Sequence, residues 1–178
     1  MGWTTSPKAN CAAARRCARP ALSNETRELS FHAARQMRAA GKTICFDPNL
    51  RPALWRSQTE MAETLNALAS HADIVMPGLG EGLILTGKSS PEEIAKFYLD
   101  KGAKLVIVKL GERGAYFENR SESGVVPACR VKKVVDTVGA GDGFAVGVIS
   151  ALLEGHPVAE AVARGNSKGS LAIQVIGD

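Results

Sequence analysis

A glycine-rich turn with an aspartate at its end, residues 136–144 (DTVGAGDGF), runs directly into an apolar segment that predicts a helix. Glycines let backbone N–H groups approach a phosphate closely, and a helix start adds the positive end of its dipole. Gly139, Ala140 and Gly141 are therefore candidates for an anion hole. A carboxylate at Asp142 can accept the proton of an alcohol while these backbone donors hold a phosphoryl group. The spacing favours phosphoryl transfer.

Two other phosphate-binding patterns do not fit this chain. A Walker A loop requires lysine followed by serine or threonine, which neither this turn nor residues 111–114 provide. A dinucleotide fingerprint requires a third glycine where Phe144 stands, so a nicotinamide-dependent dehydrogenase is disfavoured. A turn that only packs a helix against a sheet is the structural alternative, with Asp142 contributing about 0.3–1 kcal/mol at the helix start.

A second polar loop, residues 47–55 (DPNLRPALW), follows an apolar strand predicted over residues 43–46. Its side chains emerge at the carboxyl end of a strand, where α/β sheets bind ligands. Pro48 and Pro52 stiffen the loop, and Arg51 offers a planar fork of donors to a carboxylate or phosphate. An exposed arginine in a structural loop is the alternative that composition alone favours.

The turn over residues 136–144 resembles the second signature of the PfkB (ribokinase-like) carbohydrate kinases at every defining position. The loop over residues 47–55 is similar to that of the 2-keto-3-deoxygluconate kinases within this family. The resemblance implies a ribokinase-like three-layer α/β/α fold with a mostly parallel sheet. It also implies ATP and Mg²⁺ as cofactors and the phosphorylation of a sugar acid, with Asp142 accepting the proton of the 6-hydroxyl group of 2-keto-3-deoxygluconate.

The resemblance implies roles for residues outside the two motifs as well. Arg51 would contact the carboxylate of the sugar acid, and Asp178 would lie beside the substrate together with Asp142. Glu81 stands where many family members carry the glutamate of an Asn-x-x-Glu motif near magnesium and phosphate, although Gly78 replaces the asparagine. A solvent-facing glutamate at a helix start is the alternative for Glu81. The residues implied on the ATP side are Asn49, Lys109, Gly111, Gly114 and Asn166.

Several functional alternatives stay open beside a 2-keto-3-deoxygluconate kinase. Ribokinase-type or fructokinase-type specificity is the nearest, because only the Arg51 loop argues for a carboxylate. A truncated, nucleotide-binding remnant without turnover is the other, because the family's N-terminal part, its first signature and its β-lid are not found before Ser23. We expect residues 21–178 to be a partial kinase domain and residues 1–20 to be a disordered or non-family segment, with a mitochondrial-type presequence less favoured.

Composition narrows the classes of partner. The 178 residues are 45% apolar without a long uncharged apolar run, which predicts a soluble, cytoplasmic protein that does not bind membranes. Four of the 22 cations lie in the acid-free first 24 residues, so the other 18 balance the 18 acids and no nucleic-acid partner is expected. We expect small-molecule partners only, and a homo-oligomer is compatible with the sequence. The four cysteines form no C-x-x-C pair and favour free thiols.

Helical and strand patterns alternate along the chain and predict a layered α/β sheet. Leu29, Ala33 and Met37 recur every four residues and predict the buried face of a helix over residues 25–40. Signals at Ser57 and Ser90 begin two further helices. Strands are predicted over residues 43–46, 73–76, 104–110, 115–118 and 125–135, and a last helix begins at Val158.

Overall fold

The computed structural model describes residues 11–14, 23–129, 131 and 135–174. One six-stranded sheet has the order β1-β2-β3-β4-β5-β6. The first four strands are parallel, and the last two add antiparallel pairs at one edge. The strands are β1 (Cys11–Ala14), β2 (Thr43–Phe46), β3 (Ile74–Val75), β4 (Leu105–Lys109), β5 (Ala115–Asn119) and β6 (Ser123–Val126).

Within the described residues, six α-helices accompany the sheet: α1 (Asn24–Ala39), α2 (Gln58–Ala69), α3 (Leu79–Thr86), α4 (Pro91–Asp100), α5 (Ala140–Leu153) and α6 (Val158–Ala172). The side chains of Ser23, Ser57 and Ser90 cap α1, α2 and α4 by accepting a backbone N–H of the first turn. Such caps stabilise a helix start by about 1 kcal/mol each. The predicted start signals at Ser57 and Ser90 are confirmed.

Successive residues of the central strands point to opposite faces of the sheet, so the core has two halves. One half packs Ile44 and Phe46 of β2 against α2, α3 and α4, with Met61 and Ile94 completely buried. The other half packs Cys45 of β2 against α5 and α6. Helices therefore cover both faces of a mostly parallel sheet, and the predicted three-layer α/β/α arrangement is confirmed.

The predicted inner face of α1 is wrong. Leu29 is 61% exposed and Met37 is 41% exposed, and no residue of α1 is fully buried. The helix instead turns Phe31 towards the core half that contains α2, where its ring meets His71 edge to face at 6.2 Å. The four-residue apolar repeat predicted the wrong face because Phe31, which stands outside the repeat, has more apolar surface to bury than any residue of the repeat.

Residues 1–20 were expected to lie outside the fold, but Cys11–Ala14 form β1 and pair in parallel with Thr43–Phe46. The expectation is wrong for these four residues, because their backbone hydrogen-bonds to β2 at the edge of the sheet. The remainder of residues 1–20 lies outside the described part of the chain. Three strands are also shorter than predicted, since β3 spans only Ile74–Val75, β4 spans Leu105–Lys109 and β6 ends at Val126.

The helices α5 and α6 touch backbone to backbone. A Cβ atom on Gly147 of α5 would lie 2.7 Å from the carbonyl oxygen of Arg164 and 2.8 Å from the Cα of Gly165 in α6. Contacts this short leave no room for a side chain, so glycine lets the two helices approach closely. This packing fixes the position of α5, whose amino end is the glycine-rich turn.

Candidate active site

Polar groups from three elements meet where β2 and β4 end. Asp47 follows β2 directly, and Lys109 is the last residue of β4. The Nζ atom of Lys109 lies 2.9 Å from each carboxylate oxygen of Asp47. A Cβ atom on Gly141 would lie 3.7 Å from this Nζ atom and 3.9 Å from Oδ2 of Asp47. The glycine-rich turn therefore lies directly against the Lys109–Asp47 ion pair.

The glycine-rich turn is built by local hydrogen bonds. Oδ1 of Asp136 accepts the N–H of Val138 at 2.9 Å, and the next residue, Gly139, has a φ of 81°, which few residues other than glycine adopt. The N–H of Ala140 donates to the Thr137 carbonyl over a long 3.3 Å. The chain then enters α5.

Two donors remain at the amino end of α5. Within the residues that the structure describes, the N–H groups of Gly141 and Asp142 donate to no protein acceptor. They belong to the first helical turn, where N–H groups have no intrahelical partner and favour an anion. Of the three residues predicted for the anion hole, Gly139 and Gly141 therefore each have an N–H without an acceptor among the described residues, whereas the N–H of Ala140 donates to the Thr137 carbonyl.

Asp142 lies on the exposed side of this turn. Its carboxylate is close enough to Asp47 for its negative charge to help raise the pKa of Asp47. The predicted base, the unused N–H groups and the Lys109 ammonium group are thus neighbours at one edge of the sheet. Such a set can hold a phosphoryl group beside a proton acceptor.

Asp47 is the site residue that sequence reasoning missed. Its pKa is raised above the usual range, first by burial, while Lys109 opposes this shift through its charge and hydrogen bond. The negative charges of Glu81 and Asp142 raise the pKa further. The side chains of Asp47 and Lys109 are only 22% and 20% exposed. A signal for Asp47 was present, because it is the first polar residue after the carboxyl end of a buried parallel strand.

Glu81 joins two loops through its carboxylate. Oε2 accepts the N–H of Gly78 at 2.7 Å, and Oε1 accepts the N–H of Leu50 at 3.0 Å. The first bond closes the start of α3, and the second ties the loop after β2 to that start. The structure therefore shows Glu81 as a helix-start residue that braces the site loop, and its role near magnesium and phosphate stays a prediction.

Two residues predicted to bind ligands lie on the loop that Glu81 hydrogen-bonds to the start of α3. Asn49 is exposed and has a φ of 41°, in the left-handed region that asparagine tolerates better than most residues. Arg51 is also exposed, and its Nη1 donates to the carbonyl of Leu50 at 2.9 Å. No described contact joins Arg51 to Asp142. The structure thus leaves the guanidinium group of Arg51 accessible at the loop surface.

Two of the remaining residues predicted for ATP binding, Gly114 and Asn166, lie against the end of β6. Gly111 and Gly114 have φ values of 64° and 96° in the turn between β4 and β5. A Cβ atom on Gly114 would collide with the carbonyl of Val126. Asn166 of α6 is 8% exposed, and its Nδ2 donates to the carbonyls of Val126 and Pro127 at 3.0 Å each. Gly114 and Asn166 thus hold the end of β6 in place, and contact of these two residues and of Gly111 with a nucleotide stays a prediction.

One predicted site residue, Asp178, lies outside the described part of the chain. Among the described residues, no group of three or more His, Cys, Asp or Glu side chains could hold a metal ion on its own. Mg²⁺ in phosphotransferases is held largely by phosphates and water with one or two carboxylates. The carboxylates at this edge therefore fit a cation that arrives with a nucleotide.

No described helix is long and apolar enough to cross a membrane.

Comparisons with known proteins agree with this geometry. A 2-dehydro-3-deoxygluconokinase from Bacillus subtilis (strain 168) is 54% identical over 159 residues, which are 89% of this chain and 49% of the relative. The crystal structure of a PfkB protein from Polaromonas sp. JS666 matches with a TM-score of 0.82 and 51% identity, over 88% of this chain and 51% of that chain. A putative ribokinase II from E. coli, in complex with ATP and Mg²⁺, matches with a TM-score of 0.79 and 32% identity, over 88% and 50% of the two chains.

The chain spans about half the length of the curated relatives that it matches. The profile of the pfkB family carbohydrate kinases matches residues 3–178, and the fold is the predicted ribokinase-like α/β fold. The chain therefore belongs to the pfkB family of carbohydrate kinases.

Proposed function

We propose that this protein phosphorylates a sugar acid with ATP, converting 2-keto-3-deoxygluconate to its 6-phosphate. One observation carries the kinase function. The unused N–H groups of Gly141 and Asp142, the Lys109 ammonium group and the Asp142 carboxylate lie together at the amino end of α5. Donors for a phosphoryl group and an acceptor for an alcohol proton are thus combined in one place.

Each residue at the amino end of α5 and in the loops beside it has a separate role in this reaction. Asp142 accepts the proton of the 6-hydroxyl group while the oxygen of that hydroxyl group attacks the γ-phosphorus of ATP. The bond between the γ-phosphorus and the β,γ-bridging oxygen then breaks, and ADP leaves. The N–H groups at the start of α5 bind the transferring phosphoryl group, and Lys109 offsets negative charge beside Gly141. Mg²⁺, when bound with ATP, neutralises charge on the phosphates. Glu81 holds the loop that carries Asn49 and Arg51 against the start of α3.

The choice of a sugar acid rests on Arg51 and on similarity. Arg51 is exposed on a loop at the carboxyl end of β2, and a guanidinium fork suits a carboxylate better than a neutral sugar. The Bacillus subtilis relative supports the same substrate. Kinases for neutral sugars are the second candidate, because the E. coli structure described as a putative ribokinase shares the fold at 32% identity.

The test is ATP-dependent phosphorylation of 2-keto-3-deoxygluconate by the purified chain with Mg²⁺. Gluconate, ribose and fructose are assayed beside it. We expect the highest kcat/KM with 2-keto-3-deoxygluconate. Preference for ribose or fructose would refute the sugar-acid assignment. A folded chain that binds ATP and phosphorylates none of the four would be a nucleotide-binding remnant.

A further inference from the structure

The most informative group outside the assigned roles is the Asp47 carboxylate. It holds the ammonium group of Lys109 with both oxygens at 2.9 Å, and the side chains of both residues are largely buried. The Nζ atom of Lys109 lies against Gly141, where a nucleotide phosphate is expected. Lys109 therefore lies at the expected phosphate site and is engaged there by a carboxylate.

A phosphate entering this site meets two opposed effects. Lys109 attracts it, whereas Asp47 repels it and competes for the same ammonium protons. The carboxylates of Glu81 and Asp142 add negative charge near Asp47, and after burial they help to raise the pKa of Asp47. A nucleotide that carries a cation relieves this repulsion, because the cation neutralises charge on the phosphates.

We propose, on the basis of the kinase function above, that Asp47 is a positioning residue that competes with the nucleotide phosphates for Lys109. It keeps the ammonium group at Gly141 in the empty site and makes tight nucleotide binding depend on a divalent cation. Asp47 then weakens the binding of metal-free nucleotide but preserves the placement of Lys109 for turnover.

The test compares ADP binding to the wild-type chain and to Asp47→Asn by calorimetry, in EDTA and with Mg²⁺. The Asn side chain keeps an oxygen for Lys109 and removes the charge. In EDTA we expect Asp47→Asn to bind ADP about tenfold more tightly, and with Mg²⁺ the difference should shrink. The kcat should fall about tenfold, because Lys109 is held less firmly. A merely structural role would weaken binding in both conditions.

A second variant keeps the test decisive if Asp47→Asn does not fold. Lys109→Arg offers Asp47 a planar fork that binds a carboxylate with two hydrogen bonds. Competition predicts that Lys109→Arg binds ADP more weakly than the wild type in EDTA, since the guanidinium group is held more tightly by Asp47. Without competition, arginine would bind phosphate at least as well as lysine.

The matched control is Asp73→Asn. Asp73 and Lys104 pair at 2.9 Å just before β3 and β4, at the ends of the parallel strands opposite to Asp47 and Lys109, so loss of the Asp73 charge should leave ADP affinity unchanged in both conditions. Equal or weaker ADP binding by a folded Asp47→Asn variant in EDTA would overturn the competition. Failure of the wild-type chain to bind ADP with Mg²⁺ would overturn the kinase function together with it, so the two failures are distinguishable.

Discussion

Substitution of Gly147 by alanine tests whether the close approach of α5 and α6 holds the site in place. The new Cβ atom would lie 2.7 Å from the Arg164 carbonyl oxygen and 2.8 Å from the Gly165 Cα. Both neighbours are backbone atoms, so the helices must separate. Overpacking of this kind costs about 1–3 kcal/mol, and we take the upper end because no flexible side chain can yield.

Alanine also gains helix propensity over glycine by about 1 kcal/mol. The net expectation is a loss of about 2 kcal/mol of unfolding free energy, which lowers the Tm of a chain of this size by about 4–8 °C. The displaced α5 also carries the turn at Gly139, so weaker ADP binding should accompany the lower stability.

Gly80→Ala is the matched control. Gly80 is an exposed residue of α3, and a Cβ atom there would meet nothing within 4 Å. Only the propensity gain applies, so the unfolding free energy should rise by about 0.5–1 kcal/mol. Urea denaturation of the two variants and the wild type measures both changes. A Gly147→Ala variant as stable as Gly80→Ala would refute the backbone-to-backbone packing of the two helices.

Three further predictions follow from the site. Glu81→Ala leaves the N–H groups of Gly78 and Leu50 without their acceptor, so the unfolding free energy should fall by about 1–3 kcal/mol in urea denaturation; unchanged stability would contradict the bracing role. Because the pKa of Asp47 is raised by folding, the folded chain holds the carboxyl proton of Asp47 more tightly than the unfolded chain does. The contribution of Asp47 to stability therefore falls as the pH rises from about 3.9, the pKa in the unfolded chain, until the pH has passed the raised pKa of the folded chain. The unfolding free energy of Asp47→Asn minus that of the wild type should therefore rise over this pH range, as measured by denaturation curves at successive pH values. A difference that falls as the pH rises would show that folding lowers the pKa of Asp47. Arg51→Ala should raise KM for 2-keto-3-deoxygluconate by about 10–100-fold through loss of charged hydrogen bonds. Its kcat should change little, and KM for ATP should be unaffected. A KM for the sugar acid equal to that of the wild type in steady-state kinetics would show that Arg51 does not bind the substrate.

The turn at residues 136–144 was accessible from sequence because it is local. Its glycines, its aspartate and the apolar segment behind it are contiguous, and Gly139 does adopt the left-handed conformation that only glycine takes readily. The alternation of strands and helices could be predicted for the same reason, since β2 and β4 are short apolar runs bounded by polar residues.

Contacts between distant parts of the chain were not accessible. Asp47 and Lys109 are 62 residues apart, and their ion pair exists only because β2 and β4 end at the same edge of the sheet. Asn166 likewise gives no sequence sign that it donates to carbonyls about forty residues away. Tertiary packing also determines which face of α1 points inward. Phe31 packs against the core, whereas Leu29 and Met37, which follow the apolar period, are exposed.

The most direct test of the kinase account is the rate of ATP-dependent phosphorylation of 2-keto-3-deoxygluconate by the wild-type chain and by Asp142→Asn. Loss of the general base should lower kcat by at least about 10²–10⁴-fold, with ADP affinity in the presence of Mg²⁺ nearly unchanged. Asp100→Asn is the control, because among the described residues the Asp100 side chain forms only an exposed ion pair with Lys96 on α4. Wild-type turnover that survives in Asp142→Asn would contradict the account.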